Sequence, residues 1–303
     1  MAFSVLFLLL LAQSDPQHTT NTGIKITTRY SSQGGLVTEQ TVYVQGDRRR
    51  LEFRNAAGGR KRADGTIGIK YGPRMVSIQR CDLGQAFELN LDAREYYTAP
   101  FPPKPLTPEQ SKARGLGTGL KYSYDQPTIR VEQTTTDTGE RKQIFGRVAR
   151  HVITTSREVP LEGSHSQPSK TIKEGWYIDL DTRISCDRRY PSGGGHAYAF
   201  IVAGNPPIER RTVVATGKQE TGFPIQLKIT SRGTTVFPDG TKKESILVSE
   251  TLVTELEERP LDPALFEVPS GFRKVEDIRR NPLLPTSTSS WASLKEWING
   301  LFR

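Results

Sequence analysis

The sequence predicts a mainly β protein: a single curved antiparallel sheet forming an incomplete barrel, with a short mid-chain helix and a C-terminal amphipathic helix. Three observations predict it. Apolar and polar residues alternate at period two in segment after segment between residues 24 and 257. Glycine- and aspartate-rich turns separate those segments at short intervals. The strand–helix–strand alternation of a parallel sheet is absent from the pattern. A two-sheet β-sandwich is the alternative arrangement of the same strands.

Composition agrees. The chain has 303 residues, 35% of them apolar and 25% charged, and a net charge of +9. Such a chain buries a real core, and its balance excludes a polytopic membrane protein, a disulfide-dense scaffold and a wholly disordered chain.

The first segment, residues 1–14, reads as a cleaved secretory signal peptide. Residues 1–12 are apolar but shorter than the ~20 residues that span a bilayer. Small residues at Ala12 and Ser14 suit signal peptidase, although no Lys or Arg precedes the apolar run. A buried strand or helix is the alternative. With export, a periplasmic or secreted location is expected.

Strands follow from Gly23 onward. Ile24, Ile26 and Tyr30 alternate with polar residues, as do Val42 and Val44, Leu51 and Phe53, and Phe87, Leu89 and Leu91. Turns are expected at Gln33-Gly34-Gly35, Gly46-Asp47, Ala57-Gly58-Gly59, Asp64-Gly65 and Asp82-Leu83-Gly84. A Pro-rich joint at 100–105 precedes Thr107-Pro108-Glu109-Gln110, a capping-box start for a short helix that Gly115 and Gly117 end. Strand candidates resume at 129–136, 141–145, 147–159, 172–180, 196–202, 223–230 and 245–257, with loops at 161–169 and 192–195. Asp262 and Pro263 open a single capped turn. These elements form one domain over residues 23–276, followed by a linker at 277–290. In residues 291–303, Trp291, Leu294, Trp297, Ile298, Leu301 and Phe302 make one apolar helical stripe. That helix is expected either to dock on its own domain or to make peripheral membrane contact.

Cys81 and Cys186 are the only cysteines and form a candidate disulfide in an oxidising compartment. Strand parity around the two disagrees unless a bulge intervenes, so the pairing stays open at this level.

Several motifs resemble bacterial envelope families of unknown function related to the lipoprotein-carrier (LolA-like) half-barrel. They are Val42-Tyr43-Val44-Gln45-Gly46-Asp47-Arg48-Arg49-Arg50-Leu51-Glu52, the hairpin from Ile78 through Asp82-Leu83-Gly84 to Phe87-Glu88-Leu89, and Tyr96-Tyr97. Ile144-Phe145-Gly146-Arg147-Val148-Ala149 and Thr221-Gly222-Phe223-Pro224-Ile225 add to them. The most specific is the closing pair, Leu252-Val253-Thr254-Glu255-Leu256 with Leu265-Phe266-Glu267-Val268-Pro269-Ser270-Gly271-Phe272. The resemblance covers residues 24–275. It implies a concave cavity for an apolar ligand, a lipid or a lipoprotein acyl chain. Two features depart from the carrier: residues 15–22 are too few for its opening helix, and the stretch 161–214 is longer than its core.

Catalytic chemistry finds little support. His18, His151, His165 and His196 are scattered, and no zinc spacing or Gly-x-Ser-x-Gly elbow occurs. Gly193-Gly194-Gly195-His196 reads as a flexible hairpin. Asp179 and Asp181 lack a third carboxylate for calcium and read as a strand end and turn. No cofactor and no metal are expected. Basic clusters at 48–50, 60–62, 188–189, 210–211, 242–243 and 279–280 lack interleaved aromatics, so a solvated surface is expected and nucleic acid is not. The expected function is therefore non-enzymatic: an exported protein binding an apolar ligand. The lining candidates are Phe87, Leu89, Leu91, Trp176, Ile178, Phe223, Ile225, Leu227, Ile246 and Val248. A structural or partner-binding module with a filled core is the alternative, and a hydrolase is a more distant one.

Overall fold

Period-two patterning sets every strand, because it gives each one a face to bury. The protein is described by a computed structural model covering residues 22–32, 36–61, 67–102, 126–188, 209–236, 240–276 and 278. The signal segment, the helix expected at 107, the strand candidate 196–202, the Gly-rich loop, nearly all of the linker and the C-terminal helix lie outside the described residues. The strands are β1 (Gly23–Ser32), β2 (Leu36–Gln45), β3 (Arg48–Lys61), β4 (Ile67–Arg80), β5 (Gln85–Asn90), β6 (Glu95–Pro100) and β7 (Ile129–Ile144). They continue with β8 (Arg147–Pro160), β9 (Ser169–Ile178), β10 (Arg211–Thr216), β11 (Phe223–Val236), β12 (Lys242–Arg259) and β13 (Arg273–Lys274).

All thirteen form one large curved, unclosed sheet in the order β10-β7-β8-β9-β11-β12-β1-β2-β3-β4-β5-β6-β13. The sandwich alternative is thereby set aside. The expectation of a purely antiparallel sheet needs correction at both edges. There β10 pairs parallel to β7, and β13 pairs parallel to β6. Both edge strands arrive after long connections, which parallel pairing requires.

Local details follow from the turn residues. Phe145 and Gly146 take φ values of 50° and 71°, the left-handed pair of a two-residue hairpin between β7 and β8. Two other expectations are corrected. Ala57-Gly58-Gly59 is not a turn, because β3 runs through it to Lys61 and absorbs the glycines with register shifts at Arg54/Ala56 and Ala56/Gly58. Likewise 129–144 is one strand, with an irregularity between Asp137 and Arg141. The turn expected at Asp262 is present as a 3-10 helix, Pro263–Phe266, with the Asp262 carboxylate accepting from the Ala264 N–H at 2.9 Å.

Two apolar cores lie on opposite faces. From β1 to β5 the register pairs Ile26 with Val42, Val42 with Leu51 and Leu51 with Ser77. It pairs Tyr43 with Arg50, Arg50 with Ile78 and Ile78 with Phe87. The first row leads into a core of Ile26, Ala149, Ile178, Ile225 and Val253. The second belongs to a core of Val76, Ile78, Leu89, Leu261 and Phe266.

Each face is covered by a different connection. The segment after β12 crosses the second face strand by strand. Leu261 sits so close to β1 that a Cβ on Gly23 would lie 2.5 Å from Leu261 Cγ. The Arg50 guanidinium of β3 donates to the Leu265 carbonyl at 2.9 Å. Arg80 of β4, 5% exposed, binds the Phe266 carbonyl and the Glu267 carboxylate. Arg273 then pairs with Glu95 of β6.

The segment after β9 runs along one end of the sheet. Cys186 is bonded to Cys81, with Cα atoms 5.8 Å apart, and Arg49 grips Asp187 through two hydrogen bonds of 2.7 and 3.0 Å. Six strand steps separate β9 from β4, about 29 Å on a flat sheet. Eight residues from Ile178 to Cys186, part of them a 3-10 turn, reach at most about 29 Å. Curvature is therefore built into the connection. The basic run 48–50 is not simply a solvated surface, as expected, since each arginine holds a carboxylate and two of them anchor covering segments.

Candidate functional site

Beyond the end of the plug formed by residues 261–272, the second face continues into an open cleft of about 520 Å³. Its position follows from register. Arg29 lies opposite Glu39, Thr41 opposite Glu52, Glu52 opposite Val76, and Arg54 opposite Arg74. All of these share the face of Val76 and Ile78. Val37, Tyr71 and Leu91 supply apolar lining from this face, whereas Phe53 and Met75, paired with each other, have the parity of Leu51 and Ser77 and so belong to the other face; Leu91 also packs against the second core.

The charges in the cleft are unevenly satisfied. Arg74 is held by Asp92, which accepts from its backbone N–H at 2.9 Å and its Nε at 2.8 Å. Those bonds, the backbone one foremost, hold the Asp92 carboxyl below its ordinary range. Glu52 accepts from Arg50 Nε at 2.6 Å. Arg54 has a different environment. Its Nε donates to the Gly72 carbonyl at 3.3 Å, and its guanidinium carbon lies 5.6 Å from the Tyr71 ring centroid. The Tyr71 hydroxyl is fixed by donating to the Val37 carbonyl at 2.7 Å. Among the described residues neither Arg54 nor Arg29 has a carboxylate within ion-pair distance. Setting aside the engaged Glu52 and Arg74 leaves two guanidiniums against Glu39.

The ten lining candidates do not meet in one cavity. Leu89 lies in the second core, with Phe87 and Leu91 packed against it. Ile178 and Ile225 lie in the first core, with Trp176 and Phe223 packed against it. The Trp176 ring also stacks with His151 at 4.9 Å and carries Lys142 Nζ 3.9 Å from its centroid. Leu227 and Val248 are half-buried, whereas Ile246 is 50% exposed on the distal part of β12. Of the ten, Leu91 alone lines the cleft. Cys81 and Cys186 are joined.

Other expected features resolve locally. β9 ends at Ile178, so Asp179 and Asp181 leave the strand: Asp179 accepts from Arg150 at 2.8 Å, and Asp181 accepts from the Arg183 N–H at 3.0 Å. Among the described residues no cluster of three or more His, Cys, Asp or Glu side chains has metal-binding geometry.

The cleft arginines escaped the sequence reading, which searched for apolar faces and for basic runs. A usable signal existed. Arg74 has the parity of Val76 and Ile78, which marks a charge on a core-facing row. Comparison of the chain with models of known protein families finds no match, and comparison with curated proteins finds none either.

Proposed function

We propose that this is an exported, non-catalytic binding protein, periplasmic or secreted, whose curved sheet serves as a half-barrel holding an apolar ligand. A lipid or a lipoprotein acyl chain is the ligand class. The carrying observation is the cleft of about 520 Å³, which continues a core face and presents Val37, Tyr71 and Leu91. Ligand pockets are concave and on the order of 300–1,000 Å³, so this one has the size for such a guest. The resemblance to the lipoprotein-carrier half-barrel favours the same reading. The cleft needs no cofactor, and residues 291–302 supply peripheral membrane contact in this scheme.

A specific observation favours a second reading, a partner-binding module with a filled interior. Seven of the ten lining candidates pack in or against the two cores. Native mass spectrometry of the full chain after gentle purification separates the two. A co-purified lipid mass, exchangeable for a fluorescent fatty acid, is the expected result. An empty protein that also fails to take up the fatty acid would overturn the binding reading and leave the filled module.

A further inference from the structure

We infer that the cleft between the distal ends of β1–β5 reads an anionic head group, a phosphate monoester or carboxylate, on its apolar guest. Arg29 and Arg54 are the residues that bind it. The inference rests on the apolar-ligand reading above and narrows it to an amphiphile with one charged end.

Three features of the cleft carry it. Arg54 and Arg74 stand directly opposite each other on adjacent strands. Like charges in that relation repel, and a sheet retains them at a cost. Asp92 bonds to Arg74 and also attracts Arg54 through space, but Arg54 itself touches a carbonyl and an aromatic face rather than a carboxylate among the described residues. Arg29 lines the same cleft opposite Glu39 of β2, with no ion-pair contact among the described residues. An oxyanion would give both guanidiniums hydrogen-bond acceptors, and the planar guanidinium fork matches carboxylate and phosphate oxygens.

The lining is also amphipathic in the right sense. Val37, Tyr71 and Leu91 offer apolar surface for the chain, while Arg29 and Arg54 are exposed to solvent. Such an arrangement keeps a charged head wet while its chain is covered. Glu39, opposite Arg29, limits the site to a single small anion. Solvent exposure makes the interaction salt-dependent, because exposed charges are screened over about 10 Å at 0.1 M ionic strength.

The test uses the full-length secreted chain and three probes in calorimetric titration: dodecyl phosphate below its micelle concentration, dodecanol, and inorganic phosphate. Dodecyl phosphate is expected to bind about tenfold more tightly than dodecanol, with inorganic phosphate weaker than either. R29Q and R54Q should each weaken dodecyl phosphate about fivefold and leave dodecanol unchanged, while R141Q on the β7 bulge changes neither. Both targeted side chains are exposed, so the variants keep the fold, which circular dichroism verifies. Equal affinity for dodecanol and dodecyl phosphate overturns the head-group inference and leaves the apolar-ligand reading standing. Inorganic phosphate binding as tightly as dodecyl phosphate identifies a free-anion site and overturns the amphiphile. A preference for the phosphate that survives both arginine substitutions overturns the assignment to Arg29 and Arg54. Failure of all three probes removes both readings.

Discussion

Replacing Phe266 with alanine tests whether the segment after β12 truly closes the second face. Phe266 is 0% exposed and packs with Val76, Ile78, Leu89 and Leu261, all 5% exposed or less. Truncating such a phenylalanine removes its transfer energy and leaves a cavity, a loss of about 3–5 kcal/mol. Little relaxation is available, because Arg50 and Arg80 pin the flanking carbonyls of Leu265 and Phe266. In a domain of this size about 1 kcal/mol moves Tm by about 2–4 °C, so Tm should fall by about 6–20 °C. Urea unfolding followed by circular dichroism gives the energy. Apolar-dye fluorescence reports exposure of the Val76–Ile78–Leu89 face. Ile246→Ala is the matched control, since that side chain is 50% exposed and should change stability by no more than about 0.5 kcal/mol. A Phe266→Ala loss below about 1 kcal/mol, or one equal to the control, would refute the plugged-face arrangement.

Two further outcomes are expected. Replacing Cys81 and Cys186 together by serine opens a link between residues 105 apart, and the chain-entropy relation puts the loss at up to about 4.8 kcal/mol. Urea midpoints of the variant and of the reduced wild type should agree; a midpoint equal to that of the oxidised protein counts against the link. Glu220 is held below its ordinary range, chiefly by its hydrogen bonds to Arg150, with burial opposing. A depressed folded-state pKa stabilises above the unfolded value near 4.5 and is lost as pH falls through the folded one. Wild type should therefore exceed Glu220→Gln in stability at pH 7, with the gap closing below pH 4.5; a gap that is constant or widens in acid contradicts the pairing.

Much of the architecture is legible in local sequence, because its causes are local. Period two in β1, β2, β5, β11 and β12 identifies strands, since side chains alternate across a pleat whatever the neighbours are. Gly46, Gly84 and Asp262 mark turns through backbone preferences that act within a few residues.

What the sequence could not decide is which row of side chains would be covered, and by what. Ile26 and Ile78 look alike in sequence, yet they belong to cores on opposite faces, because register across four strands assigns them and the distant connections 179–188 and 261–272 cover them. The parity conflict between Cys81 and Cys186 disappears once β9 is seen to end at Ile178, eight residues before the second cysteine. Arg49, Arg50 and Arg80 act as anchors because curvature brings their partners across the sheet from 138 to 215 residues away. The cleft lies where the plug stops short, leaving Arg29 and Arg54 beside Val37, Tyr71 and Leu91. Alternation names the two faces of each strand, but burial is a property of the assembled sheet, and only tertiary contacts allot it.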